Sequence, residues 1–62
     1  MQNEEILKKA IETSLSVSMW EIYVAFLIGR KIKVVCFGNI ESTIYTFLGK
    51  HYFYRMRTLN EY

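Results

Sequence analysis

Proline is absent from these 62 residues, and cysteine, tryptophan and histidine occur once each. A single thiol, Cys36, excludes an internal disulfide, and the lack of clustered Cys and His leaves no zinc site to brace so short a chain. There is also no aspartate, no paired-carboxylate spacing and no glycine-rich phosphate loop. No nucleophile therefore stands beside a base and an orienting group, and the chain reads as non-enzymatic, with no cofactor and no metal. Cys36, between Val35 and Phe37, reads as a small buried hydrophobe, and His51 as a solvated residue at a turn.

Long hydrophobic runs are missing too. The longest, MWEIYVAFLI at positions 19 to 28, has ten residues and contains Glu21, whereas a membrane-spanning helix needs roughly 20 mostly apolar residues. The amino terminus, MQNEEILKKAIETSL, carries acids and a polar face, which fits neither a signal peptide nor a transit peptide. The expectation is a cytoplasmic protein of one domain, residues 1 to 62. A chain of this size buries only about 60% of its unfolded surface, so its own core is marginal. With disulfide and zinc excluded, self-association is the remaining support, and a homodimer or higher homo-oligomer is expected.

What is present is unevenly distributed. Residues 1 to 21 hold four glutamates against two lysines, a balance of −2, and residues 22 to 62 hold six Lys and Arg against Glu41 and Glu61, a balance of +4. That asymmetry points the second part of the chain toward an anionic partner. The wealth of Ile, Lys, Asn, Tyr and Phe, whose codons are AT-rich, suggests a low-GC bacterium or one of its phages or mobile elements.

Ile6, Leu7, Ala10, Ile11 and Ser14 or Leu15 recur at helical spacing, with Glu4, Glu5, Lys8, Lys9 and Glu12 elsewhere on the wheel. Asn3 can cap this helix and the two glutamates suit its first turn, which predicts an amphipathic helix over residues 3 to 15. After Ser18 the β-branched and aromatic content rises, and glycines stand at 29, 38 and 49. Gly29-Arg30, Gly38-Asn39 and Gly49-Lys50 each suit a two-residue hairpin loop with positive φ at glycine. The expected fold is α+β: the helix packed on an antiparallel meander of three to four strands, near 20 to 28, 31 to 37, 40 to 48 and 51 to 58. The alternative is two helices followed by a β-wing. Ser18-Met-Trp-Glu21 matches a capping box and Gly29 would stop the second helix. In that arrangement Trp20, Val24, Ala25 and Ile28 need cover from other protein.

Strict alternation along KIKVVCF puts Lys31, Lys33, Val35 and Phe37 on one side of a strand, and along HYFYRMR it puts His51, Phe53, Arg55 and Arg57 on one side. Each strand thus has a basic face bearing one phenylalanine, and an apolar face to seat the helix. Cations meet phosphates while exposed rings stack on unpaired bases, so Arg30, Lys31, Lys33, Phe37, Lys50, Phe53, Arg55 and Arg57 are the candidate nucleic-acid-binding residues, for DNA or RNA.

Two segments resemble the excisionase-type, winged helix-turn-helix DNA-binding family. VSMWEIYVAFLIG is similar to its second helix, through Val17-Ser18, Ile22-Tyr23 and Gly29, and GKHYFYRMRTLNEY is similar to its wing and last turn, through Gly49, Lys50, Tyr52, Tyr54, Leu59 and Tyr62. Together they span 27 of the 62 residues. EIYV, IK and GNIES also resemble the first strands of the Sm-like, Hfq-type RNA-binding family. Either resemblance implies nucleic-acid binding. The leading expectation is a small regulatory nucleic-acid-binding protein. The alternative is a phage or mobile-element protein that binds and inhibits a host protein, motivated by the small size and the 52% apolar content.

Overall fold

Two carboxylates, Glu4 and Glu5, lie in the first turn of an opening helix, α1 (Gln2–Ser16), where the exposed N–H groups favour negative charge. The computed structural model describes residues 2–58, so Leu59 and Tyr62, part of the winged-helix resemblance, lie outside the described residues. α1 starts one residue before Asn3, which therefore sits inside the first turn and not at the cap. Its packed stripe is Ile6, Leu7, Ala10, Thr13 and Ser14, with Ala10 fully buried, whereas Ile11 and Leu15 face outward.

Residues 20 to 28, expected as a first strand, form a second helix, α2 (Met19–Ile28). The Ser18 cap decides the local conformation: Ser18 is extended and its Oγ accepts from the Glu21 N–H at 3.2 Å, while the Glu21 carboxylate turns to Tyr52 and does not complete a capping box. Three antiparallel strands follow in meander order, β1 (Arg30–Phe37), β2 (Ile40–Phe47) and β3 (Lys50–Thr58). The α+β class and the helix packed on a three-stranded meander hold as expected, and the two-helix arrangement replaces the fourth strand. No helix among the described residues is long and apolar enough to cross a membrane.

Gly29 joins α2 to β1 with φ −81° and ψ −175°, so it is extended backbone and neither a hairpin corner nor a left-handed cap. Glycine is needed there because a β-carbon would stand 2.3 Å from the Ala25 carbonyl oxygen and 2.8 Å from that of Thr46. The first hairpin turns at Gly38-Asn39 as expected, with φ +62° at Gly38. The second turns one residue early, at Leu48-Gly49, with φ +54° and +80°, the double positive φ of a type I′ turn. Lys50 thereby becomes the first residue of β3.

α2 lies across one face of the sheet. Ile22 and Ala25 pack on Tyr52, with Val17, Phe47 and Tyr54 around them. Phe26 fits between Tyr54, at 4.5 Å between ring centroids, and Tyr45, at 5.6 Å with the rings perpendicular. α1 packs against β3, an edge strand. Ala10 and Ser14, one turn apart, are small enough for a close approach, and Ser14 Oγ accepts the Phe53 N–H at 3.1 Å. An edge donor that would otherwise be open to another chain is thereby satisfied.

Candidate functional site

Strict alternation fails at two places, and these two places build the site. In the β1–β2 pairing Lys31 lies opposite Tyr45 but Lys33 opposite Ile44, so Ile32 is an extra residue on β1. Lys31 therefore shares the face of Tyr45, on the α2 side, while Lys33 goes to the opposite face with Val35 and Phe37. In the β2–β3 pairing Ser42 lies opposite Met56 and Ile44 opposite Phe53, so Tyr54 and Arg55 together face the single residue Thr43. Past this second bulge the order of faces on β3 inverts. Arg57, opposite Glu41, joins the face of Tyr52 and Tyr45 instead of that of His51 and Phe53.

The outcome is an open groove of about 360 Å³ on the sheet, lined by Lys31 and Val34 from β1, Glu41, Thr43 and Tyr45 from β2, and Arg55, Met56 and Arg57 from β3. The Arg55 guanidinium lies 5.7 Å from the centre of the Phe26 ring, a cation–π contact that ties it to α2. Arg57 Nε donates to Glu41 Oε1 at 2.7 Å, which orients its guanidinium. Among the described residues three cations against one carboxylate leave the groove positive. A charge-assisted contact to a phosphate oxygen is what such groups make most readily.

The surface expected as one basic, aromatic face is thus divided. Lys31, Arg55 and Arg57 meet in the groove. Arg30, opposite Thr46, and Lys33, opposite Ile44, are on the other face. Phe37 and Phe53, expected as stacking platforms, are also there and pack edge-on against each other at 6.3 Å, over a face where Ile44 is fully buried. Lys50 belongs to neither group: its Nζ is 3.8 Å from Glu21 Oε2 at the start of α2. Cys36 is exposed and not buried, because it lies near the far end of β1, the edge strand that α1 does not cover. It faces the Glu41 side of the sheet and His51 the other, so the two do not meet.

Glu21, the only charged residue of α2, is turned inward. Tyr52 Oη donates to its Oε2 at 2.6 Å. Burial, then the hydrogen bond to Glu21, then the carboxylate charge push the Tyr52 hydroxyl up to about 12 from 10.0. The opposite side of α2 holds Trp20, Tyr23, Val24 and Leu27 at the spacing i, i+3, i+4, i+7, with Trp20 71% and Leu27 56% exposed. Of the residues expected to need cover if this segment were helical, Ala25 is fully buried, while Trp20 and Ile28 remain in the open.

Compared with protein-family models, curated proteins and solved structures, the chain matches none.

Proposed function

We propose that this protein is a small non-enzymatic regulator that binds the phosphate backbone of nucleic acid through Lys31, Arg55 and Arg57. One observation carries the reading: two independent bulges, one in each strand pairing, redirect basic residues from both outer strands into the same groove. Bulges are retained features that re-aim side chains at functional sites, and here each of them adds positive charge to one place. Among the described residues the one ring lining the groove, that of Tyr45, is buried, which favours backbone-directed binding that is indifferent to sequence.

Fluorescence anisotropy with mixed-sequence DNA and RNA oligonucleotides tests this. Three phosphate contacts correspond to a slope of about −2 to −3 in log K against log salt. Replacing Lys31, Arg55 and Arg57 together by glutamine should abolish binding, while replacing Arg30 and Lys33 on the other face should leave most of it. No detectable binding of either nucleic acid at low salt would sink the proposal, as would equal losses from the two sets.

The second reading, a module that binds and inhibits a host protein, is supported by the apolar outer stripe of α2. It requires a foreign protein that co-purifies in fixed stoichiometry, survives nuclease treatment and is lost with Trp20→Glu.

A further inference from the structure

We infer that the outer face of α2 is a homodimer interface, occupied by α2 of a second copy running antiparallel about a two-fold axis. The stripe is self-complementary in the way such an axis demands. Two-fold pairing requires that if residue i of one copy meets residue j of the other, j also meets i. An axis passing between Tyr23 and Val24 sets Trp20 of each copy against Leu27 of the other, and Tyr23 of each against Val24 of the other. Each large ring then faces a smaller aliphatic side chain, the alternation that lets two apolar helix faces interlock.

Charge points to the same occupant. Glu21 is engaged with Tyr52 and Lys50 on the inner side, so the outer stripe has no charged group to repel its own copy. Nor does it have one that would select a charged foreign surface. Pairing of two β1 edges, a different self-contact, would have to run across the bulge at Ile32 in both copies. That arrangement is disfavoured by the broken ladder.

The area is adequate as well. Met19 and Ile28, on α2 at the two edges of the stripe, are 70% and 68% exposed. With Trp20, Tyr23 and Leu27 these side chains expose on the order of 650 Å² per copy, so complete coverage sets a ceiling of about 1,300 Å² for a pair, at the lower end of specific interfaces at about 1,200–2,000 Å². The chain also has reason to pair, because its fully enclosed apolar core among the described residues is no more than Ala10, Ile22, Ala25, Ile44, Tyr45 and Tyr52.

Sedimentation equilibrium on the intact chain tests the inference. At about 100 µM the wild type should sediment at twice its 7.4 kDa chain mass. Trp20→Glu and, separately, Leu27→Glu should each return it to the monomer mass while circular dichroism stays unchanged. Emission from Trp20, the only tryptophan, should shift to longer wavelength on dilution of the wild type. A wild type that remains monomeric at this concentration overturns the pairing and leaves the face to a foreign protein. A dimer that survives both substitutions with the fold intact overturns it too. Failure to bind oligonucleotides has no bearing on these masses, so the pairing and the phosphate-binding groove stand or fall separately.

Discussion

A methyl group added at Gly29 would meet two backbone oxygens, those of Ala25 and Thr46, and backbone cannot swing aside as a flexible side chain can. Gly29→Ala should therefore cost at least about 2 kcal/mol, because relief requires moving either the end of α2 or the start of β1. Urea denaturation measures it. Leu48 presents the opposite case. It holds φ +54° in a turn that favours asparagine at that place, and its side chain is exposed. Leu48→Asn should raise stability by about 0.5–1 kcal/mol, and an unchanged melting temperature would count against the type I′ assignment. At Tyr52 the hydroxyl titrates near 12 in the folded chain against 10.0 ordinarily. A raised value of this kind gives a contribution fully present below pH 10 and lost as pH climbs from 10 through 12. Denaturation midpoints measured across that window should fall more steeply for the wild type than for Tyr52→Phe, which has no hydroxyl to ionise.

At the scale of the elements, the legible parts were those with one apolar face and one polar face. α1 shows that contrast in its sequence, and its predicted limits differ from the observed ones by a residue at each end. β1, β2 and β3 were legible from their glycine punctuation to within a residue. α2 was not, because both of its sides are apolar. One covers Tyr52 and the other is open, so no 3.6-residue contrast survives to distinguish it from a strand rich in aromatic and β-branched residues. The N-cap at Ser18 was the local signal that outweighed this composition. The candidate site was legible only in its residue types. Ile32, Tyr54 and Arg55 carry no glycine or other mark of a bulge, yet they decide which cations share a face. Ser14, polar within an apolar stripe, becomes intelligible only once β3 is seen beside it. Ser14→Ala leaves the partly buried Phe53 N–H without its acceptor and should cost about 1–2 kcal/mol. The same change should speed hydrogen exchange at Phe53 more than at residues paired within the sheet.

For the whole molecule, the expectation of an external support came from length alone, and the proposed pairing through the open side of α2 would give that support a location. The acidic half of the chain contributes Glu21 to the inner side of α2, and the basic half supplies the groove. The apolar stripe between them carries neither sign. A dimer held by this stripe ties folding to association, so stability depends on concentration even though each chain has its own sheet and helices. Each tenfold rise in chain concentration adds about 1.4 kcal/mol to the folded dimer, which for two chains of this length raises the melting temperature by about 5 °C. Calorimetry over two decades of concentration should show that climb in the wild type. In Trp20→Glu the midpoint should be lower and independent of concentration, because the substitution removes the partner and leaves the interior contacts of Ile22, Ala25 and Tyr52 in place.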